Sequence, residues 1–465
     1  MLNTFKKKLI GSRQFYRSLL ILIIPIIIQQ GITNFVNLLD NVMVGRLGTE
    51  SMSGVAIINQ LIFVFNLAIF GGLSGASIYG AQFFGKGDYD GVRYAFRFKI
   101  IYSLIMTAVA VGILYSFHEP LISLFLTDSA SGGDLILTQR EATTYLFLML
   151  IGLLPFALSQ SYASTLREAG ETVAPMVASC IAIFTNLILN YILIFGHFGA
   201  PRLGVAGAAI GTVISRYVEL LYLVIYVLHT SKKYVFFQKA FKSLYIPAEI
   251  TKKILLTSSP LICNEILWSM GVAMINQCYS TRGLAVVAAT NITSTAWNLF
   301  CVIMFAMGSA VSIIVGQQLG AGEIERAKDT DTKLIFFTLI LHIGIGFLII
   351  VSAPFVPLIY NTEQTVRDLA TQLLRVAGLA LPLHAFAHVT YFTLRCGGKT
   401  MVTFLFDCVF SWVISFPIAF ILSRFTDLSV IWIYFCVQFA DAIKVIIGVI
   451  LLRSGIWAKN IVSDN

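Results

Sequence analysis

The second half of this chain repeats the first. At an offset of 235 residues, without a gap, Pro25 falls on Pro260, Asn41 on Asn276, Gly48 on Gly283 and Phe65 on Phe300. Ser77 and Ile78 fall on Ser312 and Ile313, and Gln82, Gly85 and Gly87 on Gln317, Gly320 and Gly322. Further along the offset becomes 228, so that Thr165-Leu166-Arg167 lands on Thr393-Leu394-Arg395 and Gly170 on Gly398. Solenoid repeats run to only about 20–50 residues, so the duplicated unit here is a whole half-protein. In a membrane chain, two such halves commonly enclose a substrate path.

The duplicated unit is apolar enough to be a membrane unit. Hydrophobic residues make up 57% of the chain and charged residues 12%, with a mean hydropathy of +0.85. Soluble domains carry roughly twice that share of charge, about 25%. Twelve apolar stretches recur, at about 17–44, 52–80, 92–117, 140–162, 172–195, 204–230, 251–280, 285–315, 332–352, 366–394, 400–423 and 428–452. Most are near the ~20 residues that cross a bilayer as a helix. No stretch alternates polar and apolar residues at strand period, which argues against a barrel. The expected fold is therefore an all-α membrane protein, with twelve transmembrane helices in two pseudo-symmetric six-helix lobes. Six spans per repeat means that both halves enter from the same side, as parallel repeats about an axis along the membrane normal. The expected organisation is an amino-terminal lobe over 1–231, a linker over 232–249 and a carboxy-terminal lobe over 250–465.

Charge placement sets the expected orientation. With the amino terminus in the cytosol, most of the 32 Lys and Arg residues fall in inner segments, including Lys6 to Lys8, Lys86 to Lys99 and the run Lys232 to Lys253. The outer loop over 118–141 carries Glu119, Asp128 and Asp134 against Arg140. This is a positive-inside pattern, with both termini cytosolic in a multi-pass inner (cell) membrane protein. The net charge of +9 then reports topology and anionic lipid rather than nucleic acid. Residues 2–17 mix apolar and basic side chains and suit the inner leaflet. No cleavable signal peptide is visible, because the first apolar run continues through Pro25 to Asp40. The seven cysteines lack metal-ligand spacing and read as apolar filler. The seven-residue change of offset falls at the Gly/Ser/Asp-rich segment Asp128–Asp134, an ordinary place for an insertion. The turns Gly85-Lys86-Gly87-Asp88 and Gly320-Ala321-Gly322-Glu323 lack a following Gly-Lys-Ser/Thr, so neither is a P-loop. No ATPase machinery is present.

The segment from Asn37-Leu38-Leu39-Asp40 to Gly45-Arg46-Leu47-Gly48, the Gly316-Gln317 to Gly322 turn, and Leu166-Arg167 to Gly170 resemble the multidrug and toxic compound extrusion (MATE) family. Gly204-Val205-Ala206-Gly207 and the paired Thr-Leu-Arg segments do so too, and the resemblance spans essentially the whole chain. It implies an antiporter that expels organic cations, drugs or other toxic amphiphiles in exchange for H⁺ or Na⁺. It implies no enzyme activity and no cofactor beyond the coupling ion. A monomer is expected.

A charge inside a span costs about 2.5 kcal/mol or more unless paired or hydrated, so each is a functional candidate. Asp40 lies 15 residues after Pro25, about 22 Å along a helix, in the outer half of the first span. A carboxyl there suits proton binding and release; capping of a neighbouring helix is the competing reading. Asn186 and Asn190 share a helical face at i, i+4, and Thr212 follows in the sixth span. The family's amino-lobe cation site resembles Asp40, Asn186, a carboxylate at position 190, and Thr212. Asn190 departs from that pattern, removes an anionic ligand for Na⁺ and shifts expectation toward a proton at Asp40. Helix–helix hydrogen bonding is the alternative role for the two amides. Glu265 matches the family's seventh-span glutamate. Where the family has a tenth-span aspartate this chain has His384, with His388 one turn on; either a proton relay with a carboxylate or a buried neutral histidine fits. Asp407 is a candidate to supply the missing anionic charge.

Arg216 and Lys444 are equivalent at offset 228, each with an acid at i, i+3, Glu219 and Asp441, and read mainly as structural charge pairs. Phe35, Met43, Trp268, Met274 and Trp297 are candidates to line a substrate cavity, by apolar or cation–π contact. A flippase for lipid-linked precursors, from the same superfamily, is the alternative function, and Arg216 is its main support. An intramembrane enzyme lacks any matching motif.

Overall fold

The computed structural model describes residues 9–126, 134–360 and 362–463, which form helices and no strand. Residues 2–8 of the amphipathic segment, and most of the 128–134 insertion, lie outside them. The long helices are α1 (Arg13–Gly45), α2 (Thr49–Lys86), α3 (Tyr89–Ser116), α4 (Leu135–Glu168), α5 (Val173–Phe195) and α6 (Val205–His229). The second repeat supplies α7 (Ala248–Ser280), α8 in two pieces (Leu284–Phe300 and Val302–Gly320), α9 (Ile324–Ser352) and α10 (Gln364–Cys396). It ends with α11 (Thr400–Phe425) and α12 (Val430–Ser454).

Among the described residues eleven helices are long and apolar enough to cross a membrane. The second piece of α8 is among them, and α7 is not, because Lys252, Lys253, Asn264 and Glu265 dilute its 33 residues. With α7 added, and the first piece of α8 joined to the second, the chain has twelve spans in two sets of six. The single stretch expected over 285–315 is corrected to two pieces, since a turn at Cys301 (φ −75°, ψ −8°) interrupts the helix.

The repeat is visible in the backbone. α1 and α7 carry their prolines, Pro25 and Pro260, inside the helix. α2 and α8 end in the same cap. Gly87 and Gly322 both have φ +78°, a left-handed conformation that costs glycine least. The following amides, of Asp88 and Glu323, donate to Phe83 O and Gln318 O at 2.9 and 3.0 Å. These bonds satisfy carbonyls that a helix end would otherwise leave open.

Packing divides the chain into two compact units whose borders differ from those of the repeat. One holds 1–27, 81–88 and 255–465; the other holds 28–80 and 89–254. In the first, Leu19, Ile23, Ala310, Val311, Val315, Leu334 and Leu394 build a fully buried core. In the second, Ile58, Ile69, Leu146, Leu153, Ile194 and Ala209 do so. The segment after α6 belongs to the second unit and is held by α3. The buried Arg97 donates to the carbonyls of Ala240, Tyr245 and Lys239 at 2.7, 2.9 and 3.2 Å. Phe96, between Arg93 and Arg97 in sequence, packs edge-on against Phe237 and Tyr162. One guanidinium thus satisfies three carbonyls of an otherwise irregular segment, as buried backbone requires.

Candidate functional site

The second unit gathers the amino-half candidates into one hydrogen-bonded cluster. α1 brings Asp40, α5 brings Asn186 and Asn190 on one face, and α6 brings Thr212. Asn190 Nδ2 donates to Asp40 Oδ1 at 3.0 Å. Turning the Asn186 amide by 180° satisfies both of its ends: its nitrogen then donates to Asp40 Oδ2 at 2.9 Å, and its oxygen accepts from Thr212 Oγ1 at 3.1 Å. Such an amide orientation is assigned from the hydrogen-bond network. Asn190 is 1% exposed and Asn186 5%, so these bonds form where water competes little. Two amide N–H groups thus face the one carboxylate of the cluster and stand in for water as its hydrogen-bond donors.

Repeat arithmetic gives this cluster no counterpart. At offset 235 Asp40 corresponds to Ile275; at offset 228 Asn186, Asn190 and Thr212 correspond to Ile414, Ile418 and Ala440. The duplicated frame is kept while every one of the four polar groups is replaced by an apolar one.

One turn along α6 from Thr212, Arg216 meets Glu219 at 3.4 Å and lies over the Phe156 ring, 4.9 Å from its centroid. Glu219 continues into a chain that the sequence reading missed. Ser179 Oγ donates to Glu219 Oε1 at 2.8 Å, Gln29 Nε2 donates to Ser179 Oγ at 2.7 Å, and Arg167 Nη2 donates to Gln29 Oε1 at 3.1 Å.

The first unit holds the carboxy-half candidates. His384 Nδ1 lies 2.8 Å from Asp441 Oδ2 and its Nε2 lies 2.7 Å from Gln438 Oε1. Lys444 donates to Asp407 Oδ1 at 3.0 Å and stands 3.9 Å from Asp441. Asp407 also accepts from Asn264 Nδ2 at 3.3 Å. The sequence pairs Lys444 with Asp441, one turn away on its own helix; the shorter contact is to Asp407, on a different helix. Asp407 lies in one of two π-helical turns of α11, 405–409 and 411–415, and α12 is interrupted by a turn at Ala440, next to Asp441. Wide turns of this kind cluster at functional positions.

Glu265 does not meet His384 directly; Tyr391 lies within hydrogen-bond reach of it, and Arg395 and Asp407 are close enough to act on it electrostatically. His388 does not share a centre with His384, because its ring packs against Phe305 and Phe392. Among the described residues no group of three or more His, Cys, Asp or Glu is arranged to hold a metal. Of the aromatic and Met candidates, Met43 and Trp297 pack against core clusters, and Trp297 also meets the His384 ring edge-on. Phe35, Trp268 and Met274 remain exposed.

Gln29, Ser179, Asn264 and Gln438 escaped the reading because uncharged polar residues in a span are common. For three of them the repeat held the missing signal, since Gln29 corresponds to Asn264 and Ser179 to Asp407, whereas Gln438 corresponds to Ile210.

Comparison with known proteins gives a consistent result. The MatE family profile matches residues 25–192 and 260–421, one segment in each repeat and together well over half of the chain. The probable multidrug resistance protein NorM of Thermotoga maritima is 25% identical over 427 residues, 91% of this chain and 89% of that protein. The probable multidrug resistance protein YoeA of Bacillus subtilis is 24% identical over 436 residues, 93% of each chain. A solved structure described as the outward-facing conformation of a multidrug resistance MATE family transporter superposes with a TM-score of 0.84 at 21% identity, covering 96% of this chain and 98% of that one. A MOP superfamily transporter from Pyrococcus furiosus superposes with a TM-score of 0.82 at 20% identity, covering 97% of each. The chain belongs to the MatE family, whose members are multi-pass membrane transporters and not enzymes.

Proposed function

We propose that this transporter exports organic cations and related drugs in exchange for H⁺, by alternating access, with Asp40 as the proton carrier. The observation that carries this reading is the isolation of Asp40. It is the one carboxylate in a cluster of amides and a hydroxyl, and the corresponding positions of the second repeat are all apolar. A single carboxylate can alternate between a proton and the amide donors of Asn190 and Asn186. For Na⁺ as the cargo, the same set offers one carboxylate together with neutral amide and hydroxyl oxygens, a weaker donor set for a hard cation than one with two carboxylates.

The relatives named as multidrug resistance proteins support the class of compound exported. The positive-inside pattern supports an inner-membrane orientation with the basic helix ends, including Lys86 and Arg93, in the cytosol. The flippase alternative loses support, since Arg216 is engaged with Glu219 and Phe156 and is not a free guanidinium for pyrophosphate.

The test is export of a cationic dye such as ethidium from proteoliposomes under separately imposed pH and Na⁺ gradients. The reading expects the pH gradient to drive export and Asp40→Asn to lower it about 100-fold. Wild-type export by Asp40→Asn under the same pH gradient would overturn the assignment.

A further inference from the structure

The carboxy-terminal tail and the end of α2 lie in the same packing unit, although most of α2 belongs to the other. Residues 49–80 of α2 pack in the second unit and 81–88 in the first. Within the first unit the end of α2 crosses the end of α8 at repeat-equivalent positions. A Cβ on Gly85 would lie 1.9 Å from Gln317 O, and a Cβ on Gly320 would lie 1.9 Å from Gln82 O. The contact is reciprocal and backbone-to-backbone, and no larger side chain fits at either glycine.

The tail closes over this crossing. Gln82 is fully buried and spends both ends of its amide there. Its Nε2 donates to Cys396 O at 2.7 Å and to Lys459 O at 3.1 Å, while its Oε1 accepts from Ile461 N at 2.9 Å. Asn460 Nδ2 donates to Gly320 O at 3.1 Å, and Lys86 Nζ donates to Val462 O at 3.0 Å. Trp457 and Val462 are 2% and 6% exposed, so the segment is seated rather than draped. Trp457 Nε1 also donates to Leu452 O of α12 at 3.3 Å, which ties the start of the tail to its own helix.

We propose that residues 457–463 form a latch that holds the last turns of α2 on the first unit and releases them during the transport cycle. The proposal rests on the alternating-access reading above. If the two units move against each other, a helix shared between them must bend near Gly80 or give up one attachment. The attachment at its end is made of individually weak side-chain-to-backbone bonds, which can be exchanged for water at the membrane surface.

The test joins the tail to α2 reversibly. In a background with the exposed Cys263 replaced by Ser, Lys86→Cys and Val462→Cys are linked with a short, thiol-cleavable bifunctional reagent. The latch predicts that linked protein exports ethidium about tenfold or more slowly than unlinked protein, and that cleavage restores the rate. Equal rates before and after cleavage would overturn it. A second measurement needs no transported compound. Gln82→Leu should speed hydrogen exchange of the Ile461 amide about tenfold or more, and unchanged exchange would also overturn the latch. Loss of dye export in the unlinked, unmutated protein would instead count against the antiport reading.

Discussion

The two halves of this transporter lay the same polar path through equivalent helices and furnish it with different chemistry. In the amino half the path runs Arg167, Gln29, Ser179, Glu219, Arg216. In the carboxy half it runs through Asn264, Asp407, Lys444, Asp441 and His384. Asn264 stands where Gln29 does, Asp407 where Ser179 does, and Lys444 where Arg216 does. The amino half has one acid in this path and a separate acid, Asp40, in its own cluster. The carboxy half places two acids around one lysine and adds a histidine. The contact between the first equivalent pair is kept, Gln29 with Ser179 and Asn264 with Asp407, while the charged groups around it diverge.

The difference can be broken at its strongest point first. Lys444 is 8% exposed and stands between two carboxylates. Lys444→Ala leaves both in a span without their cation, a loss expected to cost about 3–5 kcal/mol. Thermal unfolding of the detergent-purified protein should show it as a large fall in the transition temperature. Asp407→Ser, which copies the amino half's Ser179, should cost about 2 kcal/mol, because Asp441 remains 3.9 Å away as a partial partner and a hydrogen bond to a charged group is lost. Arg216→Ala should cost only about 1 kcal/mol: its side chain is 39% exposed and its ion pair is 3.4 Å long, so solvent screens it. If Arg216→Ala destabilises as much as Lys444→Ala, the two paths are not different in kind.

The smallest expected effect lies outside the spans. Glu171 follows α4 and ties the segment after α6 to the second unit. Burial pushes its pKa up, but hydrogen bonds from Tyr234, the Ala174 amide and Tyr226, with Lys233 nearby, outweigh it and hold the pKa below the ordinary glutamate value. Tyr234 Oη donates to Glu171 Oε2 at 2.8 Å. A depressed carboxylate pKa contributes stability above the unfolded-state pKa and loses it as pH falls through the folded one. Glu171→Gln should therefore cost only about 0.5 kcal/mol at neutral pH, and its difference from wild type should vanish in acid. A difference that persists unchanged at low pH would show that the charge is not what holds the segment.

Much of this was legible in the residues. Apolar runs and the offset of Pro25 to Pro260 foretell twelve spans in two sets of six, because a bilayer admits few other solutions for such a chain. Asp40, Asn186, Asn190 and Thr212 are legible as a group through helical spacing and family resemblance, and they meet in the structure. What stayed hidden depends on backbone departures that no local pattern encodes. The π turns around Asp407 and the break at Ala440 accompany the short contact of Lys444 with Asp407 on another helix, where spacing along α12 favours Asp441. The role of Gln82 was equally hidden, since its partners Cys396, Lys459 and Ile461 are more than 300 residues away.

The comparison of the halves stands on the claim that the coupling proton resides on Asp40. The most direct measurement is the proton released when a cationic substrate binds to purified transporter in weakly buffered solution, followed with a pH-sensitive dye. Below the pH at which Asp40 loses its proton, the wild type should release about one proton per substrate bound. Asp40→Asn should bind the compound and release none, while Glu265→Gln should release as the wild type does. Undiminished proton release from Asp40→Asn, or its loss in Glu265→Gln alone, would contradict the account and move the coupling site to the carboxy half.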